Sequence, residues 1–418
     1  MPEVDRDGGG PRWRTDPAHR RWLEAETDRL LEFGRASRTG AGGFAWLGPD
    51  GRPDPGRPRP LWLTARMTHV YALGALLGRP GCGPLADHGL AALRTVFRDG
   101  RHGGWVKELG PDGTVDGAKA PYEHAFVVLA AASAAVAGRP GADGLLAEAL
   151  AVLDEHFWDD EAELLVGTRD AAFGAVEPYR GANENMHGVE ALLAASDATG
   201  EQEWAGRALR ATERIVRGFA AGQGWRIPEH YDERWRPVLD YNADRPADPF
   251  RPYGATVGHG LEWSRLVVQL RATLGPGAPE WLLPAARALF DTAVADGWAV
   301  DGADGFVYTV DWSGRPVVRQ RMHWVAAEAI GAAAALAAAT GEPAYERWYA
   351  TWWDHVAEVF RDPAGGSWWH ELGPDNRPAE TVWWGKPDVY HALQATLLPR
   401  LPAAPGLARA LAEVRLDR

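Results

Sequence analysis

Cysteine is almost absent from this chain, since Cys82 is the single one among 418 residues. One thiol cannot build an intrachain disulfide framework, and without a CxxC pair the chain lacks the usual zinc-binding thiols. A disulfide-stabilised secreted domain is therefore excluded, and a reducing cytoplasmic setting is expected. Cys82 lies in a Gly- and Pro-rich turn, and we interpret it as structural.

Runs of basic residues and long apolar stretches are also missing. The chain has 44 Lys and Arg against 57 Asp and Glu, a net charge of −13, so we expect no nucleic-acid partner. The longest apolar runs are short and Ala-rich, such as residues 330–339, so we expect no membrane partner. The N-terminus lacks the apolar core of a signal peptide, which fits a cytoplasmic location. Residues 1–15 are predicted to form a flexible polar tail.

Three familiar catalytic motifs do not occur. There is no HExxH or other compact set of metal ligands, no Gly-rich phosphate loop and no GxSxG. The sequence therefore predicts no metal, no nucleotide cofactor and no acyl-transfer serine, and we expect an activity that needs no cofactor.

What the chain does contain is a repeated unit. Each unit reads as a helix, an aromatic turn, a polar cluster and an Ala/Leu-rich helix, and the turn recurs as GFAWLGPDG, GWVKELGPDG and SWWHELGPDN. The polar clusters follow one another at intervals of roughly 56 to 72 residues. They are centred on Arg66, Tyr122, His187, His259, Trp324 and His391.

The two helices of a unit differ in polarity, and this difference predicts the fold. The second helix is apolar nearly all round, as a buried inner helix should be, whereas the first carries more charge. Six such pairs predict an all-α fold, a single (α/α)6 barrel of twelve helices over residues 1–418, with short β-hairpins at one mouth. The polar clusters would meet at that mouth, at the N-terminal ends of the inner helices. An open α-solenoid is the alternative, and it would not bring the clusters together.

The stretch of residues 249–270, PFRPYGATVGHGLEWSRLVVQL, shows the layout most clearly. A Pro- and Gly-rich loop ends at His259, and a helix with Glu262 one turn further on follows. The partial positive charge at a helix N-terminus favours a neutral, basic imidazole. A histidine that only caps or packs is the alternative.

The expected mouth combines histidines, carboxylates, tryptophans, Arg66, Tyr122 and Asn183, a mixture that suits a neutral polyol such as a sugar. Two reactions fit it. A carboxylate pair would hydrolyse a glycoside, and a histidine would abstract a proton next to a carbonyl. The histidines at helix mouths favour proton abstraction. A sugar-binding protein without activity is a third interpretation.

Five segments resemble the N-acylglucosamine 2-epimerase superfamily: RPLWLTARM, NENMHGVEALLAAS, FRPYGATVGHGLEWSRL, RMHWVAAEAIGA and WGKPDVYHALQATLLPRLP. The resemblance runs from about Trp62 to Leu401. Within the superfamily the segments are most similar to the branch that isomerises D-mannose to D-fructose. Sulfoquinovose isomerases and cellobiose 2-epimerases form neighbouring branches.

The resemblance implies cofactor-free isomerisation through a cis-enediol, with His259 and His391 as the catalytic residues. His391 would take the proton from C2 and return it to C1. His259 would open the pyranose ring and move the proton between O1 and O2.

The resemblance also implies a set of substrate-binding residues. Arg66 would polarise the carbonyl, Asn183 and His187 would hold hydroxyls, Trp324 would stack on the ring and Glu262 would orient His259. The full set is Arg66, Tyr122, Asn183, His187, Glu262, Trp324 and Glu328.

Several of these residues also have plain structural interpretations. Glu328 would then be a buried salt-bridge partner, Trp324 part of the core, and Asp388 a helix cap. His124 and His323 are interpreted as structural.

Other activities on the same scaffold stay open: a sugar 2-epimerase acting on mannose, cellobiose or N-acylglucosamine, a sulfoquinovose isomerase, and a glycoside hydrolase. The absence of a distinctive extra basic residue makes a sulfonated sugar the weaker choice. The expected partner is a monosaccharide, namely mannose and fructose, with lyxose and xylulose as related substrates. We expect a monomer or a weak homo-oligomer.

Overall fold

The structure, a computed structural model, describes residues 13–413. The tail predicted over residues 1–15 therefore lies mostly outside the described residues. Its last three residues, Trp13–Thr15, form one turn of 3-10 helix directly before the first α-helix.

The described residues form thirteen α-helices. They are α1 Pro17–Gly34, α2 Leu61–Leu76, α3 Cys82–Thr95, α4 Pro121–Val136, α5 Ala142–His156, α6 Ala182–Thr199, α7 Gln202–Thr212, α8 Val257–Leu274, α9 Leu282–Gly297, α10 His323–Thr340, α11 Pro343–His355, α12 Tyr390–Leu397 and α13 Leu407–Glu413. Further 3-10 turns span Arg35–Ser37, Ala220–Gln223, Gly275–Gly277 and Leu398–Arg400, and π-helical turns at Glu213–Phe219 and Val356–Phe360 extend α7 and α11.

The even-numbered helices α2 to α12 form a closed inner ring, in which each packs on the next and α12 packs on α2. The odd-numbered helices α3 to α11, together with α1, pack around that ring, so the architecture is the predicted (α/α)6 barrel. The thirteenth helix was not predicted. It packs on α2, α4 and α6.

Burial separates the two rings as the polarity of their sequences predicts. Helices α4 and α9 both have 16 residues, but 13 are buried in inner α4 and 7 in outer α9. The buried residues of α9, such as Leu282, Ala285, Ala286 and Leu289, follow the helical period and form one stripe against the inner ring. Each buried leucine stabilises the fold by about 1.5–3 kcal/mol.

By length and composition, α10 among the described helices would also be able to cross a membrane, and 72% of it is buried inside the barrel. This is the environment expected of an inner helix.

Short antiparallel strands lie before the inner helices, at the mouth. They form the sheets Arg59–Pro60 with Glu108–Leu109 and Val115–Asp116; Trp158–Asp159 with Leu164–Leu165; Arg180–Gly181 with His230–Tyr231; Ala255–Thr256 with Thr309–Val310 and Pro316–Val318; and Arg321–Met322 with Glu371–Leu372. A hairpin of strands 309–310 and 316–318 surrounds the turn DWSGR. The turn GFAWLGPDG is held by isolated bridges at Phe44 and Leu47.

These strands cap the inner helices. Helices α2, α6, α8 and α10 have no hydrogen bond from an N-cap side chain. Instead the first backbone N–H of each donates to a carbonyl of the following hairpin or loop, which satisfies one of the free donors of a helix start. The bonds are Leu61 N to Lys107 O, Ala182 N to Glu229 O, Val257 N to Tyr308 O and His323 N to His370 O.

Candidate active site

The mouth of the barrel holds an open cavity of about 740 Å³. All six inner helices or the residues just before them contribute side chains, so the predicted polar clusters do converge. Eight of the nine predicted site residues line it: Arg66, Tyr122, Asn183, His187, His259, Glu262, Trp324 and His391. Glu328, the ninth, lies behind His391 and does not line the cavity.

His259, in the first turn of α8, is held by Glu229. Its Nδ1 lies 3.0 and 2.9 Å from the two carboxylate oxygens of Glu229, which is only 3% exposed. The backbone N–H of Thr256 donates to the same carboxylate at 3.2 Å, which fixes its position. A carboxylate accepts only from a protonated Nδ1, so this contact places the proton of the neutral ring on Nδ1 and the lone pair on Nε2.

His391, in the first turn of α12, has an equivalent partner. Its Nδ1 lies 3.0 Å from Glu328 Oε1, and Glu328 Oε2 accepts from Arg265 Nε at 2.8 Å. Burial lowers the pKa of His391, although the charge of Glu328 acts to raise it. The imidazole is therefore neutral near pH 7, with Nε2 available as a base.

Trp324 lies between the two histidines. The centre of its ring is 5.2 Å from that of His259 and 5.8 Å from that of His391. Gly258 permits this close packing, because a Cβ atom there would lie 2.3 Å from the indole. The indole thus forms an apolar wall beside both bases, suited to the C–H face of a sugar.

Arg66 supplies a permanent positive charge to the cavity. Its guanidinium lies 3.3 Å from Asp388 Oδ2 and donates to Tyr122 Oη at 2.9 Å. Burial acts to lower its pKa, but the neighbouring Tyr122 and Asp388 raise it above the ordinary arginine value. Asp388 also accepts a hydrogen bond from the backbone N–H of Tyr390, the first residue of α12. It therefore caps this helix, as predicted, and binds Arg66 as well.

His187 and Asn183 line the cavity from α6. Nδ1 of His187 lies 3.3 Å from Glu190 Oε2, and burial lowers the pKa of this histidine to about 4. Asn183 Oδ1 is buried and has no hydrogen-bond partner within residues 13–413. A neutral ring and a free amide oxygen are suitable partners for sugar hydroxyls.

Known proteins resemble this chain in sequence and in fold. The N-acylglucosamine 2-epimerase family matches residues 42–395 of the chain. The chain belongs to this family.

Among its relatives, the D-mannose isomerase of Thermobifida fusca is 56% identical over 404 residues, covering 96% of this chain and 99% of the relative. The D-mannose isomerase of Pseudomonas cannabina pv. alisalensis is 48% identical, covering 96% and 97%. A crystal structure of a D-mannose isomerase superposes with a TM-score of 0.85 at 29% identity, covering 92% of this chain and 99% of that one.

Glu262 does not have the position that was expected for it in this member of the epimerase family. It was predicted to orient His259, but Glu229 does so. Glu262 Oε1 lies 3.5 Å from Arg265 Nη2 and 4.0 Å from His187 Nδ1, deeper in the barrel. The reason is that α8 aims this side chain toward the barrel axis, where α6 and α10 also place charged groups.

Two groups of side chains in the described chain have ligand atoms close enough to share a cation: His187 with Glu190 and Glu262, and Glu262 with Glu328 and His391. Arg265 already brings a positive charge to these carboxylates. We assign none of these residues as a metal ligand.

The two histidines interpreted as structural have different positions. Nδ1 of His124 lies 2.7 Å from Ala120 O, and its Nε2 accepts from Trp105 N at 3.3 Å, so its polar atoms are satisfied within the protein. His323 lines the cavity and stacks on His370 with ring centres 3.8 Å apart. His323 therefore lies at the edge of the site, whereas His124 does not line the cavity.

Sequence reasoning missed three residues of the site: Glu190, Glu229 and Arg265. Arg265 and Glu190 did leave a signal, since each is a charged residue beside an apolar stretch of an inner helix, three residues after Glu262 and His187 respectively. Such a charge must be paired inside the protein. Glu229 lies in a loop with many charges, where nothing in the sequence distinguishes it.

Proposed function

We propose that this chain is an aldose–ketose isomerase that interconverts D-mannose and D-fructose without a cofactor. The observation that carries the proposal is the pair of histidines on one cavity, His259 and His391, each with a carboxylate on Nδ1 and no protein hydrogen bond on Nε2 within residues 13–413. The full-length similarity to D-mannose isomerases supports the choice of sugar.

The two histidines would divide the proton transfers. His259 opens the pyranose ring by moving a proton between the ring oxygen and O1. Nε2 of His391 then removes the proton from C2. The electron pair of the broken C2–H bond forms the C1=C2 double bond, and the π electrons of the carbonyl move onto O1, which takes up a proton to give the cis-enediol. Return of a proton to C1 and loss of the O2 proton give the ketose.

The remaining lining residues would bind and stabilise. Arg66 lies beside the reacting oxygens and stabilises negative charge as it develops there. Asn183 and His187 bind hydroxyls, Tyr122 supports Arg66, and Trp324 stacks on the sugar. Glu328 acts through His391.

The carboxylates favour an isomerase over a glycoside hydrolase. A hydrolase needs two carboxyl groups facing each other across the bond to be cleaved. Glu229 and Glu328 are each bound to a histidine, and Asp388 is bound to Arg66. Among the described residues this leaves Glu262 as the lining carboxyl group without a close partner of this kind.

The test is incubation of the purified protein with D-mannose in D2O, followed by proton NMR. We expect fructose, and deuterium at C1 would report exchange between solvent and the base. Glucose formed before fructose would make the chain a 2-epimerase. If neither forms from mannose, and cellobiose and sulfoquinovose are also unchanged, the isomerase proposal fails.

We further propose a cytoplasmic protein that accepts lyxose and xylulose as related sugars and is a monomer or a weak homo-oligomer. Light scattering over a range of concentrations tests the last point, and a stable oligomer at the lowest concentration would contradict it.

A further inference from the structure

Three carboxyl groups cluster at the floor of the cavity: Glu190 on α6, Glu262 on α8 and Glu328 on α10. Each is at least nine-tenths buried, and Glu262 and Glu328 are both 1% exposed. Oxygens of Glu262 lie within 4.8 Å of an oxygen of Glu190 and of Glu328. Three such groups cannot all be charged cheaply, because like charges in a buried site repel strongly.

The positive charge nearby does not balance three carboxylates. Arg265 is the cation within this cluster, at 2.8 Å from Glu328 and 3.5 Å from Glu262. Arg66, the next guanidinium, is bound to Asp388. Burial lowers the pKa of both His187 and His391, so neither adds a positive charge at neutral pH.

The hydrogen bonds show which carboxyl group keeps the proton. Glu190 accepts from Tyr390 Oη and from Gln394 Nε2 at 3.2 Å, and it lies 3.3 Å from His187 Nδ1. Glu328 is bound by Arg265 Nε at 2.8 Å and His391 Nδ1 at 3.0 Å. Within residues 13–413 Glu262 accepts one hydrogen bond, from Arg265 Nη2 at 3.5 Å. A carboxylate is stabilised by its donors, so Glu262 is the least stabilised of the three as an anion.

We propose that Glu262 is a neutral carboxylic acid in the resting protein and donates its O–H to an oxygen of the bound sugar. The charged and titratable groups that face it are Arg66 on α2, Tyr122 on α4, His187 and Glu190 on α6, Arg265 on its own helix, Glu328 on α10, and Tyr390 and His391 on α12. Burial and the charge of Glu328 raise the pKa of Glu262 well above the ordinary value, which agrees with the donor count.

A neutral acid at this place suits the proposed isomerisation, on which this part of the inference rests. Glu262 lines the cavity together with His391 and Arg66. As the enediolate forms, negative charge grows on a sugar oxygen, and a fixed neutral donor stabilises that charge without a competing charge of its own. An ionised Glu262 would repel the same oxygen.

The first test needs no substrate, so its failure is distinct from failure of the isomerase proposal. The protein is labelled with ¹³C-glutamate, and its infrared spectrum is recorded at pH 7. We expect the carbonyl band of a protonated carboxylic acid in the wild type, its loss in Glu262→Gln, and a shifted band in Glu262→Asp, which also serves if the Gln variant does not fold. Absence of the band in the wild type overturns the proposal. A stoichiometric divalent cation found by metal analysis would then account for the charge of the three carboxylates.

Glu328→Gln is the matched control, since it changes a neighbouring carboxyl group in the same way. It removes the charge that repels an ionised Glu262 and frees Arg265, so Glu262 should lose its proton at lower pH than in the wild type. An unchanged titration of the band would contradict the cluster argument.

Activity supplies the second readout. Glutamine keeps a neutral donor at this position, so Glu262→Gln should lower kcat by about tenfold. Glu262→Ala, without a donor, should lower kcat by about 10²–10³-fold. Equal losses in the two variants would show that the carboxylate form is the one required.

Discussion

His259 and His391 share one design but lie in different surroundings. Both have Nδ1 bound to a glutamate and Nε2 left free. The side chain of His259 is 13% exposed and its partner Glu229 comes from a loop, whereas His391 is 6% exposed and its partner Glu328 is fixed on α10 by Arg265. The comparison shows that the same contact, a glutamate on Nδ1, fixes the tautomer of the histidine at the rim and of the histidine inside the helical core.

This difference in burial fits different roles for the two histidines in proton transfer. A base nearer the rim suits ring opening and exchange with solvent, since water reaches it more readily. A buried base suits transfer between two carbons, because a site closed to water returns the same proton more often.

Removing the bases themselves should have the largest effect. We expect His391→Asn to lower kcat/KM for mannose by about 10⁴-fold and His259→Asn by about 10²–10⁴-fold, since each removes an acid–base group. Circular dichroism should show both variants folded. If either variant retains most of its rate, the role assigned to that histidine is wrong.

Replacing the glutamate partner of each histidine should destabilise the protein to different extents. Glu328→Gln leaves Arg265 with a poorer buried partner, so we expect a loss of about 3–5 kcal/mol in the free energy of unfolding. Glu229→Gln breaks no contact with an arginine, and we expect about 1–3 kcal/mol. Urea unfolding measures both, and a larger loss for Glu229→Gln would contradict the difference in support.

The pH dependence of kcat/KM should report the buried base. Because burial lowers the pKa of His391, its neutral form persists below pH 6.5, and activity should be lost only as the pH falls through that lowered value. Glu328 acts to raise this pKa, so Glu328→Gln should move the acid limb to lower pH while reducing the rate. An acid limb that moves to higher pH in this variant would contradict the assignment.

Stability should change with pH in the same direction. The pKa of His187 is about 4 in the folded protein, against an ordinary value of 6.5, so between these values the unfolded chain binds the extra proton. The free energy of unfolding should therefore fall as the pH drops from 6.5 to about 4. In His187→Phe this part of the decline should be absent in urea titrations.

Chelation should have the smallest effect. Since Arg265 and the proton proposed on Glu262 together compensate the buried carboxyl groups, dialysis against EDTA should leave the rate of the wild type and the effects of the two histidine substitutions unchanged. A loss of activity that an added divalent cation restores would show that the carboxylate cluster binds a metal.

The sequence by itself determined the ring of helices and the place of the site. The apolar surface of helices such as α4 and the single buried stripe of α9 are local patterns. Six repeats of them predict a double layer of helices, and the contact of α12 with α2 shows that this layer closes into a barrel and not into an open solenoid. Because each polar cluster precedes or begins an inner helix, His259 and His391 had to reach the same mouth once the ring closed.

Tertiary structure decided which charges meet. Glu229 reaches His259 from a loop 30 residues earlier, and Glu328 reaches His391 across 63 residues. The family resemblance implied Glu262 as the partner of His259, but the direction of α8 turns that side chain toward Arg265. Contacts between different units depend on how the helices cross and rotate in the ring, and no local pattern in the sequence encodes that geometry.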